Sequence, residues 1–283
     1  FPNYEFKITY RLTSGSVSID TVSGIHETNV IYDNSDLNKL INQPVRLKVI
    51  QYNIGKFNWG NSGGLSANVE EKIANYKKFF AEEQADVLCL QELTTNIDSS
   101  GNYPVIETLF SPVFKNISTV TSETAVINNV LAGNQKYSWP HSTGEPPSRV
   151  TVYEGIINGK TVAFASGVLM VDATQAQKIS HLTKLVNTVL ANYEYAVCCF
   201  DMNATSETEA NALKVFLEEA GYTVSNWGYF GYINTYNLSS NDYKAIDNVF
   251  VKGDIKITDF RVPAVYADLS SDHFPCVADV VIF

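Results

Sequence analysis

The spacing of apolar positions along the chain changes character near residue 46. Before that point, YEFKITYRL and SVSIDTV alternate apolar and polar positions, which predicts short strands. A polar stretch through Asp33, Asn34, Ser35 and Asp36 follows. Residues 1–45 therefore read as an N-terminal β-rich arm or the end of a preceding module, and residues 46–283 as a separate domain. From Leu47 onward, strands alternate with helices. LKVIQYNI predicts a strand, and Val69, Ile73, Tyr76 and Phe80 mark one face of a helix over Asn68 to Glu83. Asp86 to Leu90 is a short buried strand. Arg149 to Ile157 and Lys160 to Val171 flank Asn158-Gly159, the dipeptide of a two-residue hairpin turn. A helix over Ala173 to Ala191, a strand over Tyr195 to Phe200 and a helix over Glu207 to Ala220, ended by Gly221, come next. Three strands close the chain: Ala245 to Val251, Ile255 to Val262 and Pro275 to Ile282. Hairpins mixed with βα units over this length predict two packed mixed sheets with helices outside, a four-layer α/β sandwich.

Composition narrows the function classes. The chain has 283 residues, a formal net charge of -10 and only 18% charged residues. No broad basic face for tracking a nucleic-acid backbone is indicated, although a bound cation can supply positive charge locally. No apolar run reaches the length of a membrane span. Cys89, Cys198, Cys199 and Cys276 all lie in apolar strand-like runs, and no metal-ligand spacing links them. They read as small core residues, with Cys198 and Cys199 on opposite faces of one strand. The first residue is Phe1, which suggests a processed product or an excised fragment, and no signal segment is visible. The compartment stays open between a soluble secreted protein and a part of a larger surface or phage protein. Oligomeric state is not legible.

Candidate chemistry gathers at strand ends, where an α/β scaffold usually places it. Asn53 ends the QYNI strand. Gln91 and Glu92 end LCLQEL, with Glu92 either a satisfied edge charge or a ligand. Asp201 and Asn203 leave CCFDMNA, and residues two apart on a strand share a face. Asp247 lies in AIDNVFV. Asp272 and His273 precede the last strand in SSDHFP. Carboxylate and amide oxygens of this kind suit Mg, Mn or Ca.

Taken together, these motifs resemble the endonuclease/exonuclease/phosphatase superfamily, which includes DNase I, the AP endonucleases, the inositol polyphosphate 5-phosphatases and the bacterial sphingomyelinases. The correspondence runs through the strand ending at Asn53, the pair Gln91-Glu92 and Phe200-Asp201-Met202-Asn203-Ala204 in place of a GDFNA-like motif. It continues through Ile246-Asp247 and Ser271-Asp272-His273, so it covers roughly residues 46–283. The resemblance implies a DNase I-like fold and a Mg (or Mn) cofactor held by Glu92, Asn53 and Asp272. It implies that Asp201 orients or deprotonates the attacking water, that Asn203 holds the phosphate, and that His273, oriented by Asp247, stabilises developing charge.

The sequence departs from the family in two places. Phe200 stands where the motif has Gly. A second family histidine, in an Asn-Thr-His-Leu motif, falls on Val168, or on Gly167 if the alignment shifts by one. His141, in a loop, and His181, on a helix, are the remaining histidines able to compensate, His181 reading as a surface or packing residue. Glu123 reads as a solvated loop acid or a second family acid, and Arg149 as a strand-edge residue or a phosphate contact. The expected function is a divalent-metal-dependent phosphodiesterase, foremost a nuclease, slowed by Val168. Its partner would be a phosphate-ester substrate such as nucleic acid. Two alternatives stand beside it. One is a binding or adhesion module that keeps the fold without turnover. The other is a phosphomonoesterase acting on a lipid or inositol headgroup, against which the acidic surface argues.

Overall fold

The computed structural model describes residues 8–13, 16–21, 43–57, 68–97, 101–118, 123–129, 132–139, 148–236, 244–263 and 269–283. The polar stretch Asp33 to Asp36 and His141 lie outside the described residues. The chain divides into two compact units, Phe1–Pro44 with Phe283, and Val45–Ile282. In the first, β1 (Ile8–Thr13) and β2 (Ser16–Thr21) pair antiparallel.

The second unit runs β3 (Val45–Asn53), α1 (Val69–Glu83), β4 (Val87–Gln91), β5 (Asn116–Ile117), β6 (Thr124–Asn128), β7 (Ala132–Trp139), β8 (Ser148–Ile157) and β9 (Lys160–Leu169). It continues with α2 (Gln175–Lys184), β10 (Tyr195–Asp201), α3 (Glu207–Glu219), β11 (Tyr222–Val224), β12 (Asp247–Lys252), β13 (Ile255–Arg261) and β14 (Cys276–Ile282). Two six-stranded mixed sheets result. One has the order β13-β14-β3-β4-β6-β5, the other β11-β12-β10-β9-β8-β7. Only β3–β4 and β9–β10 are parallel among the paired strands of the two sheets. Asn158 and Gly159 both take positive φ, 50° and 74°, as the two-residue turn between β8 and β9 requires.

Three apolar layers account for the sandwich. Ile50, Tyr52, Leu88 and Leu90 pack outward against Tyr76, Phe79 and Phe80 of α1. Cys198, Phe200 and Phe250 pack outward against Leu182 of α2 and Leu213 and Leu217 of α3. The facing sides meet in a middle layer that includes Val49, Cys89, Phe164, Val197, Cys199, Val249 and Ala278. All four cysteines are buried and free, and Cys198 and Cys199 fall in different layers, as strand alternation requires.

Alternation also places the site. Along each central strand the inward positions are apolar until the end, and then become polar. Val49 is followed by Gln51 and Asn53, Cys89 by Gln91, Phe164 by Ser166, Cys199 by Asp201, and Val249 by Asp247, reading toward one rim. The middle layer is therefore greasy through most of its depth and polar at one end. Among the described residues no helix is long and apolar enough to cross a membrane.

Candidate active site

The polar rim is wired from below. Gln51 Nε2 donates to Asp247 Oδ1 at 2.7 Å and to Gln91 Oε1 at 2.9 Å. Gln91 Nε2 donates to Ser166 Oγ at 2.9 Å, and Ser166 Oγ donates to the Leu90 carbonyl at 2.7 Å. These side chains are fully buried, so each bond forms where an unmet polar group would be costly. The chain crosses between the sheets and fixes their register at the site.

Above it, residues from separate segments converge. Asn53 Nδ2 donates to Asp201 Oδ2 at 2.9 Å and to Glu92 Oε1 at 3.2 Å, while its Oδ1 accepts from the Gly55 amide. Asp201 also accepts from Asn203, from the backbone amide at 2.9 Å and from Nδ2 at 3.0 Å. Asp247 Oδ2 and His273 Nδ1 lie 2.8 Å apart, and His273 Nε2 lies 3.9 Å from Asp201 Oδ2. The segment carrying Asp272 and His273 is tied down by Ser271, whose Oγ donates to the Asn53 carbonyl at 2.6 Å and accepts from the His273 amide at 3.0 Å.

Local backbone choices make this possible. β10 stops at Asp201, so strand alternation does not carry Asn203 to the cleft as the sequence suggests. Asn203 instead takes a left-handed φ of 46° and folds back on Asp201. Its carbonyl accepts from Lys178 Nζ at 2.6 Å, and that buried ammonium also meets Glu209 at 3.0 Å. Glu209 in turn accepts from the Thr205 amide and hydroxyl. Glu92 is likewise left-handed, at φ 50°, which turns its half-buried side chain out of the strand end.

Electrostatics follow from burial and crowding. Burial pushes Asp201 up to about 7, with the nearby carboxylates of Asp247 and Glu92 adding to the rise and His273 opposing it. Burial alone would lower His273, but Asp247 and Asp201 outweigh it and carry the imidazole up to about 10. Tyr236 is held well above the usual phenol range, first by burial and then by Asp272, to which its hydroxyl bonds. Its ring stands edge-on to His273 at 5.0 Å.

All seven sequence candidates thus lie at one rim. Asp201, Asp247 and His273 bring ligand-type atoms within 4.8 Å of one another. Asp247 Oδ2 and His273 Nδ1 face each other within hydrogen-bond distance, whereas His273 Nε2 stays beyond hydrogen-bond reach of Asp201. Glu92 and Asp272 are the carboxylates outside this trio. The register places both positions on which the second family histidine was expected to fall. Val168 stands opposite Asp201 in β10 and opposite Arg149 in β8, whereas Gly167 stands opposite Phe200. Val168 is 3% exposed. Glu123 is not a free loop acid: it pairs with Arg149 and, at 3.1 Å, with Lys56. His181 is a buried packing residue of α2. Sequence reasoning missed Gln51, Ser166, Lys56, Lys178 and Tyr236. Gln51 and Ser166 had a signal, since each is a polar residue at an inward position of an apolar strand.

A sequence model of the Endonuclease/Exonuclease/phosphatase family matches residues 50–273. The chain belongs to this family. Among solved structures, it is similar to D. rerio TDP2 complexed with single strand DNA product, at 12% identity and a TM-score of 0.63, covering 83% of this chain and 98% of that one. It is also similar to the endonuclease/exonuclease/phosphatase from Bacteroides vulgatus, at 16% identity and a TM-score of 0.61 over 84% of this chain and all of that one. The endonuclease domain of TRAS1, a telomere-specific non-LTR retrotransposon, matches at 16% identity and 0.54, covering 83% and 98%. At these identities the likeness establishes the fold. No curated protein sequence matches the chain.

Proposed function

We propose that this family member is a divalent-metal-dependent phosphodiesterase that acts as a nuclease. The observation that carries the reading is the convergence of Asn53, Glu92, Asp201, Asn203, Asp247 and His273, from five separate chain segments, into one hydrogen-bonded cluster at a sandwich rim. The family match and the structural likeness to a DNA-product complex support the choice of substrate.

A cation fits the residues present. Glu92 and Asp201 both draw on the single Asn53 amide, and burial, with the carboxylates of Asp247 and Glu92 adding to it, pushes Asp201 upward. Oxygen-rich sets of this kind suit Mg or Mn. Glu92, Asn53 and Asp272 would hold the ion, which when bound supplies Lewis acidity to the phosphate ester. The chain's own residues then divide the rest. Asp201, with a pKa near neutrality, accepts a proton from water. Asn203 positions the phosphate while its backbone stays pinned by Lys178. His273, charged through its pairing with Asp247, stabilises the developing negative charge. Val168 supplies none of the help that a histidine would give there, so the enzyme is slow.

Supercoiled plasmid tests the nuclease claim. Nicking that needs Mg or Mn and stops with EDTA supports it. One observation favours a binding module as a second reading: Tyr229 is 85% exposed beside a groove of about 420 Å³ that also includes Phe230, Ser225 and Thr258. An intact plasmid under every metal moves the weight to that face.

A further inference from the structure

In a chain with a net charge of -10, and beside a rim crowded with carboxylates, two cations stand together. Lys56 Nζ lies 3.1 Å from Glu123 Oε1, and Arg149 Nη1 pairs with Glu123 Oε2. One acid therefore holds two bases, and the trio carries a net positive charge. Its place is fixed by the backbone. The Lys56 amide donates to the Glu92 carbonyl at 3.0 Å, and the Leu93 amide donates to the Glu123 carbonyl at 3.0 Å, so the trio borders the segment that carries Glu92. Arg149 stands opposite Val168, which stands opposite Asp201, so Arg149 is two strand spacings, about 10 Å of backbone, from Asp201. Lys56 sits in a left-handed turn at φ 55°, and its side chain is 42% exposed. A charged group kept in the open next to a reaction centre, rather than spread over the surface, is placed to meet the charge of a ligand.

We propose that Lys56 and Arg149, gathered by Glu123, form a second phosphate subsite, which grips the phosphate adjoining the one hydrolysed. The substrate is then a strand with consecutive phosphodiesters, a nucleic acid, rather than an isolated ester. This rests on the phosphodiesterase reading and sharpens it. Glu123 keeps the two side chains from folding onto the carboxylates of Glu92 and Asp201. Two protein cations beside a metal-assisted site would reconcile an acidic chain with a polyanionic substrate.

The test compares wild type with Lys56→Asn, which removes the charge and suits the left-handed turn, and with Arg149→Gln, whose folding is checked by thermal melting. Each is assayed with Mg on a single-stranded oligonucleotide and on bis-p-nitrophenyl phosphate, which has only one phosphate. The expected result is a KM for the oligonucleotide raised about three- to tenfold per variant, with a clearly smaller change on the small ester. The dependence of log affinity on log salt should flatten by about 0.7 for each cation lost. Affinity is also read directly, by anisotropy of a labelled oligonucleotide on the catalytically disabled Glu92→Ala protein with and without Lys56→Asn. That reading does not need turnover, so failure of the hydrolase reading and failure of the subsite are told apart. Equal losses on both substrates, or an unchanged salt slope, would overturn the proposal. A larger loss on a phosphorylated inositol than on DNA would overturn it in favour of a headgroup.

Discussion

The ring of Phe200 fills the space that a side chain on Gly167 would need. A Cβ built on Gly167 would lie 2.3 Å from the Phe200 ring carbons, and that ring is held in turn by Phe250 at 5.4 Å. The two unusual residues, a Phe where the related motif carries Gly and a Gly on the neighbouring strand, are thus one packing solution. Gly167→Ala should destabilise the protein by about 1–3 kcal/mol, the cost of overpacking a well-filled core. Phe200→Ala should accept the added methyl, so the double variant should melt above the value expected if the two losses simply added. Additive losses in thermal or urea unfolding would show that the pair is not coupled.

Val168 shares the ladder position between Arg149 and Asp201 and is apolar. Val168→His should place a donor beside the site and raise kcat on a phosphodiester by up to about a hundredfold, the low end of the range for one charge-stabilising group. A fall in kcat with unchanged stability would mean that the site is tuned to an apolar wall.

The pairing of His273 with Asp247 has a pH signature in the metal-free protein. Since the imidazole is carried from 6.5 up to about 10, its contribution to stability is present in full below about 6.5 and is lost as pH rises through about 10. Asp247→Asn removes the largest upward influence, and the midpoint should drop toward the ordinary value. Imidazole NMR titration of both proteins reads this directly. An unchanged midpoint would remove Asp247 from its orienting role.

Lys178 is fully buried, with Glu209 at 3.0 Å. Lys178→Met should cost about 3–5 kcal/mol by leaving the Glu209 carboxylate without its counter-charge, and Lys178→Met with Glu209→Leu should recover much of that loss. Chemical denaturation of the three variants measures it. The double variant should stay stable yet hydrolyse poorly, because the Asn203 carbonyl has lost its anchor.

Much of this was legible in the sequence because the site is built from strand ends. A strand such as VLCLQ announces both its burial and the position where polarity begins, and Asn53, Glu92, Asp201 and Asp247 could be read from that change. The order of those motifs then carried the fold. The β5–β6 edge and β7 were missed, since AVIN is short and AGNQKYSW has no clear alternation. Helix α2 ends at Lys184 and runs on as a wider turn through Leu185–Val189, which a 3.6-residue period cannot distinguish. Asn203 reaches Asp201 by a route that strand alternation does not predict, because its left-handed turn leaves no periodic trace. Tyr236 and Lys56 were invisible: they meet the site through chain segments whose contacts are made only by folding.

If a cation held at Glu92 supports phosphodiester hydrolysis, removing either the cation or the carboxylate should stop it. Initial rates on bis-p-nitrophenyl phosphate, with Mg, with Mn and with EDTA, for wild type and Glu92→Ala, test it most directly. Slow, metal-dependent hydrolysis by wild type, abolished by Glu92→Ala without loss of folding, is the expected result. Equal rates for the two proteins, or wild-type hydrolysis that persists in EDTA, would contradict it.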